Sequence, residues 1–319
     1  MKVTQKKSTK TRYIVSKKGL LAVLFAMLMV VGTACSSTAN SNSSSESKSG
    51  GTITLSSKGF AEQDILANML KLLVEKDTKM TVKIKSNLTD NVLWEAFKKG
   101  DMDANVEYTG TALLQYLKKD PIYDSQKVYD VVAKKYKDQY KWTWLDPIGF
   151  NDTYALAIRK EDADKYGIST TSQLAKYSNK FIFGSAQEFL NRPDGFPAIK
   201  EKYKMNFKDV KAFGAQLDYQ AISQKQVDAI IVFTTDGRIP DSHLKVLEDD
   251  KHLFLPYDAA PIVKDEVLKA HPELKAALNK LAGKISNEQM QLLNSKVDVK
   301  HEKAEKVAKD FLTEQGLLK

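Results

Sequence analysis

The chain has 319 residues, 49 Lys plus Arg against 40 Asp plus Glu, a formal net charge of +9, and one cysteine. A lone cysteine excludes an intrachain disulfide and leaves too few thiolates for a zinc cluster, and the four histidines have no metal-site spacing. No basic stripe with interleaved aromatics is present, so nucleic acid is not an expected partner, and neither a cofactor nor a metal is expected.

The charge is unevenly placed. Lys2, Lys6, Lys7, Lys10, Arg12, Lys17 and Lys18 crowd the N-terminus with no acidic residue among them. Residues 19–31 then form an uncharged apolar run, the length of a secretory signal core and too short to span a bilayer. The run ends in Val31-Gly32-Thr33-Ala34-Cys35, which resembles a bacterial lipobox with Cys35 as the lipidated, mature N-terminus. Gly32 is a departure, since Leu is usual three positions before such a cysteine. The reading is a lipoprotein signal peptide over 1–34 and a lipid-anchored flexible tether over 35–51. Residues 36–51 are nearly all Ser, Asn, Gly and Thr and cannot bury a core. One acyl chain binds a membrane only marginally, so stable attachment calls for two or more on the cysteine. Taking the seven leader charges from +9 leaves +2, so the basic character belongs mostly to the leader.

From Thr52 strand and helix patterns alternate. Residues 52–56 and 80–84 read as strands, 61–74 and 90–99 as helices, the second closed at Gly100. Residues 104–106 read as a third strand, leading into Glu107-Tyr108-Thr109-Gly110-Thr111. That stretch predicts a strand end, a tight turn at Gly110, and a helix whose first N–H groups are capped by Thr109 or Thr111 or left for an anionic group. Three such units imply a parallel sheet with a ligand edge at the strand C-terminal ends. Residues 57–63, 87–91 and 108–111 fall on that rim. Trp142 and Trp144 alternate on a structural strand.

A second set of elements begins with a strand at 153–158. Helical stretches follow at 161–177, a short strand at 181–183, a helix at 198–204 and a strand near 210–213. Residues 226–233 form the most apolar strand and end in Thr234-Thr235-Asp236-Gly237-Arg238. A further strand is expected at 253–257, and the remainder reads as helical. The last helix carries Ala304, Val307, Ala308, Phe311 and Leu312 on one stripe, with Gly316 as its stop.

Four motifs in this order, Ser57-Lys58-Gly59-Phe60-Ala61-Glu62-Gln63, Glu107 to Thr111, Asn151-Asp152-Thr153-Tyr154-Ala155-Leu156 and Thr235-Asp236-Gly237-Arg238-Ile239, give a resemblance. The chain from Thr52 onward resembles the substrate-binding proteins of osmoprotectant ABC transporters, the glycine betaine, carnitine and choline group. The resemblance implies an α/β, two-lobed periplasmic-binding-protein-like fold of type II with its ligand in the cleft. It implies one lobe from 52–153 with 258–319 and another from 154–257. It also implies an aromatic cage for a quaternary ammonium group, formed by Tyr108, Tyr154, Tyr257 and Phe233. Phe233 stands where the family often has Tyr. Gln63, Thr89 and Thr111 are the candidates for the polar end of the ligand. The implied role is a non-enzymatic, lipid-anchored receptor outside the cell that serves a transmembrane ABC permease and its ATPase.

Other readings sit beside this one. Aromatics at strand ends also serve as ordinary packing, and Tyr177, Tyr203 and Tyr219 are assigned to it. An exported enzyme would need a nucleophile elbow, a metal-ligand helix or a phosphate loop, and the sequence has none. The same fold could hold a bulkier trimethylated betaine, an amino acid or a polyamine.

Overall fold

The computed structural model of the protein describes residues 50–214 and 217–318, the side chains of Asp90 and Glu188 excepted. The expected signal peptide, Cys35 and the tether up to residue 49 lie outside the described residues. Among those described, no helix is long and apolar enough to cross a membrane.

Among the described residues ten strands form two five-stranded sheets. The first contains β1 (Thr52–Ser56), β2 (Thr81–Lys85), β3 (Ala104–Tyr108), β4 (Trp142–Trp144) and β10 (Ala259–Lys264), ordered β2-β1-β3-β10-β4. The second contains β5 (Tyr154–Arg159), β6 (Ile182–Ala186), β7 (Asp209–Phe213), β8 (Ala229–Phe233) and β9 (Leu244–Val246), ordered β7-β6-β8-β5-β9. The two orders share one plan. Three parallel strands lie at one side, and next to them runs an antiparallel strand, β10 in one sheet and β5 in the other.

The elements follow from local pattern. In β1, Ile53 and Leu55 point inward while Thr52 stays exposed, the two-residue period of a half-covered strand. The helix Ala61–Asp77 repeats Ile65, Leu66, Met69, Leu70, Leu73 and Val74 at helical spacing and buries them all. It packs under the first sheet with the helices Asn287–Asp298 and Ala304–Glu314, whose Met290, Leu293, Val307, Ala308, Phe311 and Leu312 join the same core. Gly100 closes the helix Asp90–Lys99 with φ 88°, a conformation that disfavours any side chain.

The structure departs from the sequence expectation in three places. Residues 253–257 are not a strand, and the strand lies just beyond them as β10. The first sheet is mixed, since β10 enters it antiparallel. Gly110 is helical, not a turn: β3 runs straight into Thr109–Thr111 and then a π-helical turn, Ala112–Tyr116.

Two connections join the sheets, one between β4 and β5, the other between β9 and β10, and they lie side by side. Asn151 and Asp258 form an antiparallel bridge. The Thr153 hydroxyl donates to the Leu255 carbonyl at 2.6 Å, and the Tyr257 N–H donates to Asn151 Oδ1 at 2.6 Å. The backbone of residues 253–257 spends hydrogen bonds here and, through the Phe254 N–H at 2.8 Å, on Asp249 Oδ2, which explains why the segment extends without joining a sheet.

Candidate functional site

The aromatic residues singled out by the sequence gather around this double crossing. Tyr108 ends β3, Tyr154 begins β5, Phe233 ends β8, and Tyr257 lies in the return connection. Tyr154 and Phe233 are directly opposed in the β5–β8 ladder, so their side chains share one face. Their ring centroids are 4.6 Å apart with planes 29° from parallel. Phe189 and Phe254 back Tyr154 at 5.4 and 5.9 Å. Phe233 keeps 47% of its surface exposed, unusual for a phenylalanine beside so many rings.

The Tyr257 ring lies against Gly110, two residues after Tyr108. A Cβ on Gly110 would stand 2.7 Å from both the Pro256 carbonyl oxygen and Tyr257 Cε1, so only glycine lets this ring lie against the helix start. Thr109 fastens the same contact. Its hydroxyl donates to the Pro256 carbonyl at 3.3 Å and accepts from the Asp258 N–H at 3.0 Å. The expected capping therefore does not occur: neither Thr109 nor Thr111 bonds a helix N–H through its side chain. Thr109 is committed across the crossing.

Two cations stand over the rings. Lys58 Nζ is 5.3 Å from the Tyr108 centroid and 2.8 Å from Glu107 Oε1, with both side chains nearly buried. The Arg192 guanidinium is 6.0 Å from the Tyr154 centroid. Its Nε and Nη2 donate to the two Asp194 oxygens at 2.8 and 2.6 Å, and this pairing holds the guanidinium protonated above its ordinary range. Burial is the main cause pushing the Tyr257 hydroxyl's pKa up, with Tyr154, Asp194 and Asp152 adding to it and the Arg192 charge opposing it.

Below the rings lies a buried acidic cluster. The Tyr108 hydroxyl donates to Glu62 Oε1 at 2.6 Å, and Asn294 Nδ2 donates to Glu62 Oε2 at 3.1 Å. Thr235 Oγ1 donates to Asp152 Oδ1 at 2.9 Å. Burial, and after it the charge of Asp152, pushes Glu62 up to about 8. Burial also raises Asp152 to about 6, against the opposing Thr235 hydrogen bond. At neutral pH Glu62 is therefore mostly a protonated acid.

The polar candidates fall in different settings. Gln63 is buried, its Nε2 donating to the Val106 carbonyl at 3.2 Å while its Oε1 lacks a partner among the described residues. Thr111 is half-buried in the turn after Tyr108, and Thr89 is exposed at the start of the helix Asp90–Lys99. No ring contact, hydrogen bond or ion pair ties the Thr89 side chain to the aromatic group among the described residues. A groove of ≈ 1140 Å³ follows the crossing and touches Tyr154, Asn151, Thr153, Pro256 and Asn287, but Tyr108, Phe233 and Tyr257 are not on its wall.

Sequence reasoning passed over Lys58, Arg192, Glu62 and Asp152 as site residues. Lys58, Glu62 and Asp152 lie inside the motifs that carried the resemblance. For Arg192 the signal is rarity: the chain has four arginines against a large excess of lysine, and this one sits in the turn sequence Asn191-Arg192-Pro193-Asp194-Gly195.

Known proteins match this chain along most of its length. Residues 51–314 match the family model of the substrate binding domain of ABC-type glycine betaine transport systems. A carnitine transport binding protein of Listeria monocytogenes is 37% identical over 299 residues, covering 93% of this chain and 96% of that protein. An ergothioneine transport permease/ergothioneine binding protein of Helicobacter pylori is 38% identical over 268 residues, 83% of this chain and 48% of that protein. A crystal structure of a glycine betaine/carnitine/choline ABC transporter protein superposes with a TM-score of 0.79 at 36% identity, covering 83% of this chain and 98% of its own. The fold is that of the type II periplasmic binding proteins. The chain belongs to the family of substrate-binding domains of ABC-type glycine betaine transport systems.

Proposed function

We propose that the protein captures a trimethylammonium solute outside the cell, holding the cationic head among Tyr108, Tyr154, Phe233 and Tyr257, and passes it to an ABC permease driven by an ATPase. The observation that carries this reading is Phe233: an exposed ring stacked on Tyr154 and aligned with it by strand register. A quaternary ammonium is permanently charged and has no N–H, so carboxylate hydrogen bonds cannot hold it as they hold an amine. Ring faces attract it at roughly 0.5–2 kcal/mol each when desolvated. Four faces then supply a substantial part of the ~8 kcal/mol of a micromolar complex.

Arg192 favours a ligand with a carboxylate at its other end. Asp194 occupies the Nε and Nη2 edge, and the Nη1 edge remains for a second acid. Lys58 adds positive charge on the Tyr108 side, and Gln63, Thr111 and Thr89 are the proposed polar contacts. The assignment therefore ranks betaines above choline. Carnitine and glycine betaine come first. The relative named for ergothioneine adds that bulkier molecule to the trial set.

The two sheets serve in this reading as the centres of two lobes, 52–153 with 258–319 and 154–257, closing on the solute about the paired connections. Solute binding and closure are then linked, because only the closed form hides the cation from water. Cys35 carries the lipid anchor, and the protein performs no chemistry on its ligand. Calorimetric titration with carnitine, glycine betaine, choline and ergothioneine tests the assignment. Binding of one or more, weakened in Phe233→Ala, is the expected result. A folded protein indifferent to all four overturns it.

A further inference from the structure

We propose that Glu62 is the counter-charge of the aromatic site: its carboxyl gives up a proton to solvent when a permanently cationic head settles on the Tyr108 ring. The inference rests on the cage reading above and adds to it a residue that touches no ligand.

The geometry singles out Glu62. It stands in the first turn of the helix Ala61–Asp77, 2% exposed, directly behind the Tyr108 hydroxyl. Its partners are two hydroxyls and an amide, those of Tyr108, Thr235 and Asn294, and no ion pair neutralises it among the described residues. The nearby charges are disposed as follows. Asp152, on the crossing, is acidic and held by Thr235. Beyond it Asp236 is paired with Arg238 at 2.5 Å. Lys58, over the Tyr108 ring, is paired with Glu107. The cluster thus places two carboxyl groups, neither ion-paired among the described residues, behind Tyr108, whose ring also has the Glu107-paired Lys58 ammonium 5.3 Å from its centroid.

Two buried acceptors, Gln63 Oε1 and Asn294 Oδ1, have no donor partner among the described residues. Both belong to residues beside Glu62: Gln63 is its chain neighbour and Asn294 its hydrogen-bond partner. A protonated Glu62 has a donor to offer in that environment, consistent with its rise to about 8 under burial and the charge of Asp152. A cation arriving at Tyr108 favours the ionised carboxylate, and the Tyr108 hydroxyl hydrogen bond then becomes charge-assisted. The proton leaves to water, and nothing else changes covalently.

Calorimetric titration of the protein with glycine betaine, carnitine and choline, in paired buffers of different ionisation enthalpy, tests this. None of the three ligands titrates between pH 6 and 8, so a released proton comes from the protein. The expected result is proton release near pH 7, with affinity rising as pH rises towards 8 and levelling above it. The slope approaches about tenfold per pH unit as release approaches one proton. In Glu62→Gln the release vanishes and the affinity becomes flat with pH. In Asp152→Asn the release persists but moves to lower pH, since a like charge has gone. A ligand that binds without buffer dependence, or a Glu62→Gln variant that still releases the proton, overturns the proposal while leaving the cage intact. Failure of all three ligands to bind brings down both. The ligand-free protein gives a separate readout. A carboxyl whose folded-state pKa is raised stabilises the fold below its unfolded value and loses that contribution as pH rises to the folded one. Thermal midpoints should therefore fall between about pH 4.5 and 8, and less steeply in Glu62→Gln.

Discussion

Two of the aromatic clusters among the described residues differ in kind, one with its rings packed on each other and one with a ring half in solvent. In the first, on one face of the first sheet, Trp94 stacks on Tyr116 at 4.5 Å, Phe97 tilts against Trp142 at 4.3 Å, and Tyr136 meets Trp144 edge-on at 5.4 Å. The innermost rings there are buried among other rings and aliphatic side chains, Trp142 being 3% exposed, while Trp94 at the margin is partly buried with the Lys98 ammonium 5.9 Å from its centroid. In the second, Tyr154 has rings on several sides and an arginine over its own ring, but its partner Phe233 presents 47% of its surface to solvent. Aromatic density is thus no sign of a binding site. In the proposed reading, a ring left half in solvent beside the crossing, Phe233, is what marks one.

The comparison breaks if the closed cluster proves to bind or the open one proves to hold the fold. Trp142→Ala should cost about 3–5 kcal/mol of stability, since a large buried ring leaves a cavity that its rigid neighbours cannot fill. Chemical denaturation measures the loss, and betaine affinity in the folded fraction should stay unchanged. Tyr136→Phe should move stability in the opposite direction. The Tyr136 hydroxyl is buried with no hydrogen-bond partner among the described residues, and removing such a group relieves about 1–3 kcal/mol of uncompensated desolvation. A higher denaturation midpoint in Tyr136→Phe would fit. A lower one would mean that the hydroxyl has found a bound water.

In the open cluster the effects should shift from stability to affinity. Phe233→Ala should weaken ligand binding by roughly 0.5–2 kcal/mol, the worth of one ring face, about a 2- to 30-fold rise in Kd. Its melting temperature should change little, because half of the ring already lies in water. Loss of stability without loss of affinity would turn Phe233 into packing and merge the two clusters into one kind.

What could be read from the sequence divides along the range of the forces involved. β1 and the helix Ala61–Asp77 were legible because their apolar residues recur at two- or near-four-residue intervals, and the strand ending at Phe233 because residues 229–233 are an unbroken apolar run. β10 was not. Ala259-Ala260-Pro261 lacks strand propensity, and it forms a strand because it is clamped between β3 and β4 and buried along its whole length. Gly110 invited a turn, but what requires glycine there is the approach of Pro256 and Tyr257, almost 150 residues later in the chain. The same distance hid Glu62. Its character comes from Tyr108, Asp152 and Asn294, which the fold alone brings to it. Trp142 and Phe233 show the same limit from the other side: sequence identifies each as a ring near a strand, and only the packing decides which face is left open.

The smallest expected effect concerns Thr89, and it sharpens where the open site ends. Thr89 precedes the helix Asp90–Lys99 with extended backbone angles, φ −66° and ψ 156°, the geometry of a capping residue. Its hydroxyl nevertheless makes no cap hydrogen bond, and its side chain is exposed. Thr89→Ala therefore removes neither a helix cap nor a buried contact, and stability should stay within about 0.5 kcal/mol. Its effect on affinity depends on the lobes. If closure brings the start of this helix to the ligand carboxylate, the variant should weaken carnitine and glycine betaine by the net worth of one hydrogen bond, about 0.5–1.5 kcal/mol, and leave choline, which has no carboxylate, unaffected. Equal affinity of wild type and variant for all three would draw the boundary of the site inside Thr89, at Thr111 and Gln63, and leave the polar end of the ligand to Arg192 and Lys58.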